Sequence, residues 1–145
     1  MRFILFLLPA AVGCAGDDTI LQDSDPEEED LECPNIEHIP VTSPQTISQP
    51  VTVTATITDD SGVQSARLYF KRETAILWDD VTLSNGGSGS SFTADIPGTE
   101  VGAAAGMHYY IWAQDASPKL NACTLPNDGE EGPFHFTIDA AEKKN

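Results

Sequence analysis

Asp59 and Asp60 follow one alternating run of the chain and Asp115 ends another, with Asp30, Glu32, Asp128, Glu130 and Glu131 as further carboxylates on intervening segments. Gathered on loops at one end of a β domain, Asp59, Asp60 and Asp115 are a candidate set for calcium, which takes six to eight oxygens at about 2.3–2.6 Å. Asn127 or backbone carbonyls would complete such a shell. The alternative is solvated charge, with Asp59 and Asp115 accepting hydrogen bonds from turn amides.

Tyr69, Tyr110 and Trp112 form a second candidate set. Their spacing directs them outward from strands that would be neighbours in one sheet, with Arg67 and His135 beside them. Aromatics grouped on a flat exposed face can stack sugar rings or anchor a protein partner, or stabilise the sheet as cross-strand pairs. The register around Trp78 fits two alternatives. The three histidines give no converging set: His38 and His135 are placed near one pole and His108 at the other, so a three-His zinc site is not expected. There is no Cys-x-x-Cys, no Gly-x-Ser-x-Gly and no phosphate-binding glycine loop; Gly86-Gly87-Ser88-Gly89 falls in a flexible connection. No catalytic residue is nominated, and the chain is not expected to be an enzyme.

Met1-Arg2 precedes the apolar run Phe3-Ile4-Leu5-Phe6-Leu7-Leu8-Pro9-Ala10-Ala11-Val12, then Gly13-Cys14. A basic residue, a short apolar run and small residues have the layout of an export signal, too short for a helix of about 20 residues that would span a bilayer. Ala11-Val12-Gly13-Cys14 resembles the lipobox of bacterial lipoproteins. The resemblance implies a signal peptide over 1–13 and fatty-acyl modification of Cys14. Ala15 rather than Asp after the cysteine implies outer-membrane delivery in a two-membrane bacterium. With Cys14 assigned to lipid, Cys33 and Cys123 are left to form one disulfide in an oxidising compartment.

Residues 14–32 read as a disordered acidic tether. Nine acidic residues and no basic one lie between Asp17 and Glu32, a composition that repels itself and buries little. The whole chain, 145 residues and 15.5 kDa, carries a formal charge of -16, which argues against nucleic acid and against anionic lipid surfaces. Its hydrophobic content of 40% still demands a folded part.

That part is placed at 33–140, with 141–145 as a tail. Residues 51–58 alternate strictly, and shorter alternating runs near 36–39, 63–71, 75–83, 91–96, 107–114 and 133–139 bring the expected strands to seven. No helical periodicity follows the leader. Ile57-Thr58-Asp59-Asp60-Ser61-Gly62-Val63, Ala66-Arg67-Leu68-Tyr69-Phe70, Phe92-Thr93-Ala94-Asp95-Ile96-Pro97 and Tyr109-Tyr110-Ile111-Trp112-Ala113-Gln114-Asp115 resemble the fibronectin type III and immunoglobulin-like modules of bacterial surface proteins. The resemblance implies an all-β, seven-strand sandwich with Cys33, before the first strand, and Cys123, in the loop after the sixth, at one pole. It implies fold far more than function. The functional expectation is a lipid-anchored envelope protein that binds another envelope component or acts as a spacer, with a carbohydrate-binding module using Tyr110 and Trp112 as the alternative.

Overall fold

The alternation of Val51–Thr58 becomes a strand whose Val51, Val53, Ala55 and Ile57 are buried and whose four threonines are exposed. The structure is a computed structural model, and it describes residues 29–102 and 106–139. Cys14, the leader, residues 14–28 of the expected tether and the 141–145 tail lie outside them. In chain order the strands are β1 (Asn35–His38), β2 (Gln45–Thr46), β3 (Val51–Thr58), β4 (Val63–Arg72), β5 (Asp79–Thr82), β6 (Ser91–Ile96), β7 (Met107–Asp115), β8 (Ala122–Leu125), β9 (Phe134–Phe136) and β10 (Ile138–Asp139), with one 3-10 turn at Gly129–Glu131.

One sheet has the order β1-β3-β6 and the other β5-β4-β7-β8, with β9 also on β7. All these pairings are antiparallel; β2 and β10 add a short parallel ladder. The two sheets face each other across one core, to which β3 gives its inward residues, β4 gives Ala66, Leu68 and Phe70, and β7 gives Met107, Tyr109, Ile111 and Ala113. Phe92 and Ile96 of β6 and Phe136 and Ile138 of the last strands complete it, with Leu83 and Val101 from connections. At about 1.5–3 kcal/mol per large apolar side chain, this burial is the main force holding the sheets together. The all-β sandwich read from the sequence is the observed fold.

Ten strands replace the expected seven, each difference having a local cause. The last run divides at Thr137: β9 pairs with β7 and β10 with β2. β2 is too short to show a period. β8 has no alternating apolar pattern, because an edge strand pairs through its backbone; Pro126, lacking an N–H, follows its last residue. The run expected at 75–83 narrows to β5, and residues 73–78 make the β4–β5 turn.

The register defines two poles. Asn35 opposite Thr58 places the start of β1 beside the end of β3. That entry pole also holds the start of β4 and the end of β7, since Val63 is opposite Asp115. Arg72 opposite Met107 marks the distal pole, where β4 ends and β7 begins. Cys33 and Cys123 are joined with their Cα atoms 5.6 Å apart. Cys123 is not in a loop as expected but in β8, opposite Ala113, so the disulfide ties the chain's entry beside one sheet to the edge of the other.

Candidate functional site

The outer face of the five-stranded sheet carries the aromatic residues. Tyr69 and Tyr110 are direct cross-strand partners on β4 and β7, and their rings stack with centroids 4.8 Å apart and planes 8° from parallel. Trp78, from the β4–β5 turn, sets its edge against Tyr110 at 4.9 Å, and Lys71 Nζ lies 4.7 Å from the Trp78 ring centroid. Trp112 is half-buried between Arg67 on β4 and Thr124 on β8. Arg67 is ion-paired with Asp80 of β5. Burial raises the Tyr110 phenol above its ordinary range, helped by Tyr69 and the negative charges of Glu130 and Asp80. All three expected residues therefore share one face, in mutual contact at Tyr69 and Tyr110.

Sequence reading missed the most exposed apolar residues of this region. Ile76 and Leu77, at the tip of the β4–β5 turn, are 90% and 80% exposed. The run Ile76-Leu77-Trp78 before Asp79-Asp80 was their only sequence signal, and it read as part of a strand. Together the tip and the aromatic stack form a ridge at the distal pole, suited to desolvation against a partner.

At the entry pole the carboxylates separate into two groups. Asp30, Asp59 and Asp60 offer oxygens within 4.8 Å of one another. Ser61 Oγ donates to Asp30 Oδ2, Glu32 N to Asp30 Oδ1 at 3.0 Å, and Ser61 N to Asp59 Oδ1 at 2.9 Å. The Ser61 hydroxyl and the Glu32 amide hold the Asp30 carboxyl below the usual range. Asp59 is raised, first by desolvation and then by the charges of Asp30, Asp115 and Asp60. Asp115 does not join this trio. It is fully buried, accepting from Ser117 N at 3.3 Å and from Asn121 Nδ2 at 2.8 Å. The Asn121 amide also reaches Asp30 O at 3.0 Å, so Asp115 closes the β7–β8 turn and Asn121 ties that turn to the incoming chain. Within the trio, Asp30 and Asp59 already accept hydrogen bonds from Glu32 and Ser61. Glu130 lies near Tyr110 instead, because the 3-10 turn packs on β7.

The histidines also differ from expectation. His108 and His135 are not at opposite poles: they are cross-strand partners on β7 and β9. The expected placement started the last strand at the entry pole, where β8 occupies that stretch of β7 instead. His38 is structural, bonded to the Thr54 carbonyl and the Tyr109 hydroxyl.

Among the described residues no helix is long and apolar enough to cross a membrane. The chain matches no protein-family model, and none of the curated proteins matches it.

Proposed function

We propose that this protein is a non-catalytic lipoprotein of the bacterial cell envelope, held at the outer membrane by lipid on Cys14. Its sandwich binds a protein component of the envelope through the distal ridge. The observation that carries this reading is the exposed pair Ile76 and Leu77 beside the Tyr69–Tyr110–Trp78 cluster. A monomer gains nothing in stability from large aliphatic side chains in water, whereas an interface gains about 25 cal/mol for each Å² they bury. The ridge lies at the pole opposite the one where residues 30–33 enter the sandwich. A disulfide between Cys33 and Cys123 suits an oxidising compartment, and the strongly acidic chain is a poor ligand for nucleic acid.

The glycan reading, with Tyr110 and Trp112 as platform, has less to support it. Stacking against each other withholds one face of Tyr69 and one of Tyr110 from a sugar ring. Calcium is not part of the proposed role.

Two experiments test the reading. Metabolic labelling with a fatty-acid analogue marks the wild-type chain and leaves Cys14→Ser unmarked; equal labelling contradicts the anchor. Affinity purification of the tagged chain from cross-linked cells recovers a protein partner that the double variant Ile76→Ser, Leu77→Ser fails to recover. Equal recovery from both contradicts the ridge as the binding surface.

A further inference from the structure

The connection from β5 to β6 holds the chain's one Asn-Gly pair, Asn85-Gly86. The residue before it is pinned. Ser84 N donates to Thr93 O at 3.0 Å, and Thr93 N returns a bond to Ser84 O at 2.9 Å. Three further bonds organise the turn. The Gly86 N–H donates to Ser84 Oγ at 3.2 Å, the Gly87 N–H to Asn85 Oδ1 at 3.0 Å, and Asn85 Nδ2 to Gly89 O at 3.1 Å.

Each of those three bonds falls on an atom that cyclisation of Asn85 would use. Attack by Gly86 N on Asn85 Cγ needs the amide proton removed and the side-chain carbonyl oxygen stabilised as it takes negative charge. A hydroxyl both accepts and donates, so Ser84 Oγ, on an exposed residue, can draw that proton away and pass one to water. The Gly87 N–H stands where an oxyanion donor is needed. Gly89 O orients the amide nitrogen that would leave. Gly86 has φ +66°, and no described atom beyond its chain neighbours lies within 4 Å of where a Cβ would sit, so nothing crowds the attacking nitrogen. Holding nucleophile and electrophile on adjacent residues removes the entropic cost of bringing them together.

We propose that Asn85-Gly86 is a self-modifying site, which closes to a succinimide and reopens as isoaspartate and aspartate. In the first step Gly86 N bonds to Asn85 Cγ and gives its proton to solvent. The Cγ–Nδ2 bond breaks, and the nitrogen takes up a proton and leaves as ammonia. Water, the one co-reactant, then opens the ring. Attack at Cγ restores the ordinary main chain with aspartate at 85, whereas attack at the main-chain carbonyl leaves the chain running through Cγ as isoaspartate. Either product puts a carboxylate on the cleft that Asp59 also lines, adding negative charge to the entry pole. Other positions lack the arrangement. Asn35, Asn121 and Asn127 precede Ile36, Ala122 and Asp128, whose side chains hinder the attacking nitrogen. In Asp128-Gly129 the glycine N–H is committed to Pro126 O at 2.8 Å, an acceptor with no proton to pass on.

The test is incubation of the purified full-length chain in mildly alkaline buffer. Ammonia release is followed over time, with peptide mass mapping by fragmentation that separates isoaspartate from aspartate. The site predicts isoaspartate at position 85 as the larger product, while Asn35, Asn121 and Asn127 are still intact. Asn85→Gln loses the early ammonia. Ser84→Ala slows conversion severalfold while hydrogen exchange at Thr93 stays as in wild type, which separates loss of the hydroxyl from loss of the ladder. Should the alanine variant disturb that exchange, Ser84→Thr, which keeps a hydroxyl, decides by restoring the rate. Position 85 unconverted when the other asparagines have reacted overturns the proposal. So does conversion to aspartate alone, as direct hydrolysis would give, a wild-type rate in Ser84→Ala, or a rate in Ser84→Thr as slow as in the alanine variant.

Discussion

The hydroxyl of Tyr109, whose ring lies in the core, is 2.9 Å from Nε2 of His38 on β1. The other ring nitrogen, Nδ1, is 2.7 Å from the Thr54 carbonyl, which can only accept. His38 Nδ1 is therefore the protonated nitrogen, Nε2 accepts from Tyr109, and the Tyr109 oxygen in turn accepts the Val41 N–H at 2.8 Å. One phenol thus binds the end of β1 and the start of the crossover toward β2. Pro40 and Pro44 in that crossover lack the N–H groups that would let the ladder with β3 continue.

Removing the hydroxyl leaves two partners unsatisfied while keeping the ring. Tyr109→Phe is expected to destabilise the protein by about 1–3 kcal/mol, read as a lower urea midpoint with an unchanged slope. Hydrogen exchange should speed selectively at Val41. A midpoint equal to wild type contradicts this role.

The same network sets a pH dependence. Burial holds the His38 pKa below its ordinary value of about 6.5, opposed by the bond to Thr54. Because the folded pKa is depressed, the unfolded chain binds the extra proton first as pH falls. The stability contributed by neutral His38 is full above about pH 6.5 and is lost as pH drops from there through the folded value. The drop in wild-type stability from pH 7.5 to pH 5 should shrink in His38→Gln. An equal drop in both contradicts a neutral, buried-side His38.

The disulfide closes a long loop between residues 33 and 123, with a sequence separation of 90. Constraint of the unfolded chain by a loop of that length is worth about 4–5 kcal/mol. The double variant Cys33→Ala, Cys123→Ala should unfold at a correspondingly lower urea concentration while keeping the far-UV spectrum of an all-β protein. Equal midpoints contradict the bridge as a stabilising element.

The legible part of this fold was the part where one sheet face is buried and the other wet. β3, β4, β6 and β7 announce themselves because each alternates, and Val53, Leu68, Ile96 and Ile111 fall in the core as their spacing requires. β8 was not legible, since Ala122-Cys123-Thr124-Leu125 pairs at an edge through its backbone. Its presence shifts the last strand toward the distal pole, which is why His135 meets His108 and not the entry loops. The aromatic face followed from alternation in β4 and β7, whereas Ile76 and Leu77 did not, because an apolar run of three carries no sign of which side faces water. Asp115 was visible as a carboxylate at a strand end; its burial depends on Asn121, six residues on across the turn.

The central claim is that the distal ridge is a binding surface, and in-cell photo-crosslinking from position 77 tests it most directly. Position 88, an exposed serine in the connection between β5 and β6 at the entry pole, serves as the control. Neither side chain contributes to the core, so both probes should leave stability within about 0.5 kcal/mol. The account predicts a discrete protein adduct from position 77 and none of that mass from position 88. No adduct from position 77, or the same adduct from both positions, contradicts it.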